Sequence, residues 1–469
     1  MTPAIARPAL CLAVVCLGTL AAPLDSAVNI AMPSISRAFG APIEDVRWVV
    51  IAYVLTYSSL LLIFGKLGDL IGYLSVFRAG LIVSAIGFLA CSQATHFGLL
   101  LASRVLQGIG IALALSCAPA LATTLYDESR RTRVLATYAA FAAAGAALGP
   151  IIGGMLVDWF GWSAVFWGRA PLCLAALALT WIIPAPAGRP LAARFDHWGA
   201  GLLIVWLSAL LLGVAAIATT ADPALPLGLG LLFLGALAAF LRHETRIEEP
   251  IIRPALFRSL DFAAMNIRSI AVSFSAFRIM LLVPYYLVTV RGLDGATGGL
   301  VLALAAIGTV GGSWLAGRIG AKVAVGRVAL AGIGLSLAGL LGIACLASRA
   351  ELAPIATALV VQGIGVGLFQ VAYVDLVTSV IPLKDRGVAG SLTMVTRTIG
   401  VVAGATAHAA IQRIGADRAV TEGAGPKAAF LAGFELAFAA ATLVVLLALF
   451  LGLLRPSLRG RAPAHVDDA

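Results

Sequence analysis

Ionisable side chains stranded in apolar runs mark where this chain could do chemistry. Asp25, Arg104, Arg278, Asp375, Arg397 and Glu435 fall in stretches built mostly of apolar and small residues. A charge at the centre of a bilayer costs at least ~2.5 kcal/mol, so such groups face a water-filled cavity or one another. Asp25 best suits proton coupling. Desolvation raises a carboxyl pKa and a nearby cation lowers it, so a carboxylate moved between two environments loads and releases a proton. The plainer role for Asp25 is to bond backbone groups freed near Pro23. Arg104 would tune Asp25, relay its proton or fix span four as a structural pair. Arg278 would exclude simple cations from a cavity or welcome an anionic group, while Asp375 fits better as a structural counter-charge to Arg278 or Arg397. Asn29, one turn beyond Asp25, would line the same cavity. Tyr53, Tyr57, Tyr285, Tyr286, Phe369 and Tyr373 could offer stacking faces to a flat hydrophobic cation, although packing or interface anchoring is the commoner use of such rings.

No enzyme constellation competes. The chain has no Gly-x-Gly-x-x-Gly, no phosphate-cradling loop ending Gly-Lys-Ser/Thr, no His-Glu-x-x-His and no Gly-x-Ser-x-Gly. Its six cysteines lie in apolar runs without metal-ligand or redox spacing. Neither cofactor nor metal is expected, and the energy for any transport would come from an ion gradient.

The elements that must position these charges are membrane helices. Over 469 residues the chain is 61% hydrophobic and 12% charged, with a mean hydropathy of +1.02, against roughly one-quarter charged in soluble proteins. Fourteen apolar stretches of about spanning length follow one another, at approximately 8–31, 47–64, 77–95, 97–121, 134–157, 163–183, 198–219, 224–241, 262–290, 298–317, 327–347, 353–380, 388–411 and 430–454. The first could imitate a secretory signal; its length and the spans that follow argue that it is retained. A net charge of +10 would suggest nucleic acid in a soluble protein. Here twenty of the 32 Lys and Arg fall in alternate loops and both ends, which by the positive-inside rule makes these segments cytoplasmic. The charge is topological and predicts no nucleic-acid partner.

Short sequences recur along the chain. Gln107-Gly108-Ile109-Gly110 returns as Gln362-Gly363-Ile364-Gly365, Gly145 and Gly149 return as Gly400 and Gly404, and Gly65-Lys66-Leu67-Gly68 is echoed by Gly317-Arg318-Ile319-Gly320. Two homologous six-span halves with spans seven and eight inserted between them is the economical reading. The expected organisation is a six-helix bundle over 1–183, linkers with two inserted helices over 184–258, a second bundle over 259–454 and a tail over 455–469.

Within span five, Gly145, Gly149 and Gly153 recur every fourth residue beside Leu148, Pro150 and Gly154. Small residues at this spacing share a helix face and let another helix approach closely, and Pro150 bends the helix. With its Gly-Pro pair and closing Gly-Gly, the stretch resembles the fifth-span antiporter signature of the major facilitator superfamily. Leu24-Asp25-Ser26-Ala27-Val28-Asn29-Ile30-Ala31-Met32-Pro33 looks like the first-span signature of its fourteen-span drug:proton antiporters. Gly65 to Gly72, with Lys66 and Asp69, matches the cytoplasmic loop of that family, but Tyr73, Leu74 and Ser75 replace its basic cluster. Arg104 to Gly110 is similar to the fourth-span motif. Trp162 to Pro171 resembles the opening of span six, except that Arg169 stands where asparagine is usual.

The resemblance implies an all-helical polytopic fold of two six-helix bundles plus two central helices. It also implies alternating access, with Asp69 clamping a cytoplasmic gate and Gly65, Gly72, Gln107, Gly108, Gly145, Gly149, Pro150, Gly153 and Gly154 serving gating and packing. The expected function is proton-coupled export of hydrophobic or amphipathic small molecules such as drugs or antiseptics, by a monomer in a bacterial cytoplasmic membrane with both termini inside. Two alternatives are a proton-coupled importer of a small metabolite and a non-transporting sensor or scaffold on the same fold.

Overall fold

The computed structural model describes residues 8–124, 126, 131–183, 196–219, 222–247, 259–319, 323–347, 351–380 and 386–454. Every element among them is helical. The chain runs α1 (Pro8–Leu20), α2 (Ala27–Phe39), α3 (Trp48–Ile71), α4 (Tyr73–Ser92), α5 (Phe97–Thr124), α6 (Arg131–Phe160), α7 (Ala170–Leu179), α8 (His197–Thr219), α9 (Ala224–Glu244), α10 (Leu260–Tyr285), α11 (Gly295–Ile319), α12 (Val325–Leu346), α13 (Ala353–Val380), α14 (Arg386–Thr421) and α15 (Pro426–Leu453). Each apolar stretch of the sequence falls on a helix of this series. Among the described residues, eleven helical segments are long and apolar enough to cross a membrane.

The chain divides into two compact units, one of Met1–Ala200 with Asp294–Leu300, the other of Gly201–Leu293 with Val301–Ala469. In the first unit α1 and α2 form one apolar passage of 32 residues, broken by a 3-10 turn at Pro23–Ser26. Pro23 supplies no N–H to a continuing helix, and the chain tightens there before resuming at Ala27. This break places Asp25 where helical regularity is lost.

The glycine stripe of α6 packs against that break. A methyl group added at Gly145 would lie 2.7 Å from Leu20 and 2.9 Å from Pro23, one at Gly149 would strike Ser26 Oγ, and one at Gly153 would come within 2.7 Å of Ala27 Cα. Ser26 Oγ is tied to α6 by donating to the Ala146 carbonyl at 3.1 Å. The opposite side of α6 meets the first turn of α11, where Cβ atoms at Gly154 and Gly299 would overlap the Gly295 and Pro150 carbonyls. Asp158 accepts hydrogen bonds there from the Gly295 and Ala296 N–H groups at 2.8 and 2.6 Å. Asp294 adds a third, from the Thr297 N–H at 2.6 Å. Its contacts with Thr297 hold the Asp294 carboxyl below the usual carboxylate range. Two carboxylates thus satisfy three otherwise orphaned donors at a helix N-terminus, where the dipole favours negative charge.

The sequence repeat reappears as repeated packing. In the first unit Gly80 lies against Ala114, Gly87 against Gln107 and Gly110 against Ser84; in the second Gly332 lies against Phe369, Gly339 against Gln362 and Gly365 against Ser336. α4 with α5, and α12 with α13, are therefore equivalent close pairs whose backbones nearly touch because no side chain intervenes. Gly400 and Gly404 in α14 likewise pack on Ile270–Phe274 of α10, as the α6 stripe packs on the first passage. Within the second unit α8 and α9 meet through Trp206, whose ring lies 6.2 Å from Phe233 and 6.1 Å from Phe240. α9 otherwise exposes Leu225, Leu227, Leu231 and Leu234, as a lipid-facing helix does.

Gly72 ends α3 with a φ of +96°, a backbone conformation that favours glycine, and its N–H bonds the Gly68 carbonyl at 2.9 Å. Arg78, the basic residue nearest this turn on its C-terminal side, is taken up elsewhere. Its Nε donates to Thr180 Oγ1 at 2.9 Å and its guanidinium covers the Trp181 ring. The side chains of Lys66 and Asp69 lie outside the described residues, as do residues 455–469 and 184–195.

Candidate functional site

The first unit buries a charge cluster around Asp25. From α5, Arg104 Nη1 and Nη2 donate to Asp25 Oδ1 and Oδ2, each at 2.8 Å, a two-pronged contact that matches the planar carboxylate. Arg169, at the head of α7, adds a third donation, from its Nη1 to Asp25 Oδ1 at 2.5 Å. Gln107 supplies a fourth, from Nε2 to Oδ1 at 3.2 Å. Asp25 is 9% exposed, Arg169 4%, and Arg104 and Gln107 are fully enclosed.

Arg104 is anchored as well as paired. Its Nε donates to the Val49 carbonyl at 2.6 Å and its Nη1 also reaches Gln107 Oε1 at 2.7 Å. The Tyr53 ring lies under it at 4.3 Å. Arg169 is held by donation to the Val165 carbonyl at 2.7 Å and stacks on Phe88 at 4.5 Å, yet among the described residues its Nη2 has no partner. One carboxylate therefore faces two guanidiniums, leaving the cluster with a surplus positive charge in a region where charges are costly. Every helix that contributes comes from a glycine-lined contact, so the polar groups can meet at hydrogen-bond distance.

The expected residues divide between the units. Asn29, Tyr53 and Tyr57 belong to the first. Asn29 is buried, and Tyr53 and Tyr57 pack at 5.1 Å between centroids, with Tyr53 already covering Arg104. Gln107, expected to serve gating and packing, belongs to the Asp25 cluster. Arg169 was missed as a site residue. The signal was available, because it is a charge inside the sixth apolar stretch and the residue at which the family pattern departs from asparagine.

Arg278, Tyr285, Phe369 and Tyr373 lie in the second unit, all buried. Phe369 and Tyr373 stack with centroids 5.8 Å apart. The Tyr373 hydroxyl donates to Asn266 Oδ1 at 2.9 Å and lies 3.0 Å from Thr396 Oγ1. Arg278 has no carboxylate partner among the described residues. Its Nη1 donates to the Ala437 carbonyl at 2.5 Å and its charge sits 3.5 Å from the Phe438 ring centroid. The expected pairing of Asp375 with Arg278 is absent, because Asp375 projects from the exposed side of α13. Among the described residues no group of His, Cys, Asp and Glu could hold a metal ion.

Residues 14–405 match the model of the Major Facilitator Superfamily. The chain belongs to that superfamily. It is accordingly a multi-pass membrane transporter, not an enzyme. The major facilitator transporters it resembles include the methylenomycin A resistance protein of Streptomyces coelicolor, 30% identical over 83% of this chain and 82% of that protein. The riboflavin transporter RibZ of Clostridioides difficile is 26% identical over 84% of this chain and 86% of its own length. A solved bacterial homologue of the human lysosomal transporter Spinster superposes with a TM-score of 0.69, covering 98% of both chains at 16% identity. At that identity the likeness shows the fold alone.

Proposed function

We propose that this major facilitator transporter is a proton-coupled antiporter that exports hydrophobic or amphipathic small molecules by alternating access. In this reading fourteen helices cross a bacterial cytoplasmic membrane with both termini inside. The observation that carries it is the buried Asp25 at the break of the first passage, held by Arg104, Gln107 and Arg169. A proton can load only as the arginine contacts open, so protonation and helix movement are linked in one step. The α6 stripe packs directly on the same break, so motion of α6 is felt at Asp25. Similarity to resistance proteins of Streptomyces coelicolor and Mycobacterium tuberculosis supports export of toxic compounds.

Proteoliposomes carrying an internal pH dye test this. A panel of dyes, antiseptics and antibiotics should include one compound that drives proton movement opposite to its own, and Asp25→Asn should abolish that movement. A second reading, uptake of a small metabolite together with protons, draws on the similarity to a riboflavin transporter. Proton and compound moving in the same direction would select it. Unchanged coupling in Asp25→Asn would refute both proton-linked assignments of this residue.

A further inference from the structure

Deep in the second unit, α10 carries Arg278 with no accessible surface. Among the described residues only Nη1 is tethered, to the Ala437 carbonyl of α15, and Nε and Nη2 have no partner. These two nitrogens lie along one edge of the planar guanidinium, the edge that takes both oxygens of a carboxylate side by side. From α14, His408 reaches the same stretch of α10. His408 Nε2 donates to the Phe274 carbonyl at 3.0 Å, one turn before Arg278, while its Nδ1 has no partner among the described residues. The surroundings are aromatic: Phe274 lies 4.5 Å from the His408 ring, and Phe438 stacks on Phe434 at 4.4 Å.

A buried guanidinium without a counter-charge is expensive, and one aromatic face returns only ~2 kcal/mol of that cost. A tie from α10 to α15 uses Nη1 alone, and the remaining Nε–Nη2 edge is the donor pair that a carboxylate takes side by side. We infer that Arg278, with His408 and the surrounding phenylalanines, forms a binding site for the carboxylate of an aromatic or otherwise apolar monoanion. The single positive charge matches one negative charge; a dianionic phosphate would arrive under-neutralised. With its Nε2–H spent on the Phe274 carbonyl, His408 has only an acceptor at Nδ1 and gives the carboxylate no bond, so its ring and the phenylalanine rings receive the apolar body. Entry to so enclosed a site requires the opening that alternating access provides, so the inference rests on the transport reading for access and names the chemistry of its substrate.

The test is binding by purified, detergent-solubilised protein without a proton gradient, which separates it from any failure of coupling. 1-Naphthoate, neutral 1-naphthylmethanol, 1-naphthyl phosphate and chloride are compared at matched ionic strength, with melting temperature as readout. Naphthoate should raise the melting temperature of the native protein saturably, with the alcohol, chloride and phosphate ester weaker by tenfold or more in apparent affinity. Arg278→Gln should lose at least tenfold in naphthoate affinity, and Arg278→Lys should retain part, as a point charge that cannot fork. Without ligand, Arg278→Gln should melt no lower than the native protein, because it removes an unpaired buried charge. A ligand-free melting temperature well below native would mark a structural arginine and overturn the site. So would equal naphthoate binding in the native protein and Arg278→Gln, or no saturable effect in the native protein. Export of an aromatic carboxylate that survives Arg278→Gln unchanged would also sink the anion site, while leaving the transport reading in place.

Discussion

Asp25→Asn should destabilise the protein more than removal of either arginine, and a second substitution at Arg169 should restore much of the loss. The native cluster carries two guanidiniums and one carboxylate, a surplus of one positive charge. Asparagine in place of Asp25 leaves two buried cations facing an amide and raises the surplus to two. Breaking a buried pair so that a charge is left uncompensated costs ~3–5 kcal/mol, and that range is expected for Asp25→Asn. Arg169→Gln instead leaves Arg104 and Asp25 as a neutral bidentate pair and removes an unpartnered Nη2, so its cost should stay below ~1 kcal/mol. Arg104→Gln falls between, because it strips the carboxylate of two bonds and frees the Val49 carbonyl. The double variant Asp25→Asn/Arg169→Gln returns to a surplus of one, and the cycle should show a favourable coupling of ~1–3 kcal/mol. Denaturant unfolding in detergent, followed through the eight tryptophans, measures the native protein and all four variants. If Arg169→Gln costs as much as Asp25→Asn, or the double variant is no better than Asp25→Asn alone, the surplus-charge reasoning is wrong.

Other outcomes follow from contacts around the same break. Gly149→Leu should still insert in the membrane but lose export, because even a methyl there meets Ser26 Oγ, itself held to α6; normal export in vesicles would count against the seam. Asp158→Ala removes the acceptor for two N–H groups of α11 and should cost about 1 kcal/mol, which faster amide exchange at Gly295 and Ala296 would reveal. The Asp294 cap has a pH signature. Its folded carboxyl titrates below the usual range, so its contribution is complete above the unfolded pKa of about 3.9 and disappears as pH falls through the lower folded value. The stability difference between native protein and Asp294→Ala should therefore shrink between pH 6 and pH 3, and a difference that grows with acid would contradict the assignment.

Membrane character, helix positions and the internal repeat were legible in the sequence because they depend on local composition. Every span needs its own apolar length, and every close helix pair needs its own glycines, so Gly110 and Gly365, or Gly149 and Gly404, announce themselves by spacing alone. Asp25 was legible for the same reason, since one carboxylate in an apolar stretch has few innocent explanations. Its partners were only partly so. Arg104 sat in a recognisable motif, but Arg169 is 144 residues from Asp25, and no local pattern links a residue at the head of α7 to a break in the first passage. Tyr53 looked like a face open to a ligand until the fold placed Arg104 on it. Arg278 was visible as a charge, whereas its tether to Ala437 and its free edge depend on how α10, α14 and α15 meet. Local sequence determines which segments enter the membrane and where backbones can touch; which charges satisfy one another, and which are left over, is decided by helices brought together from distant parts of the chain.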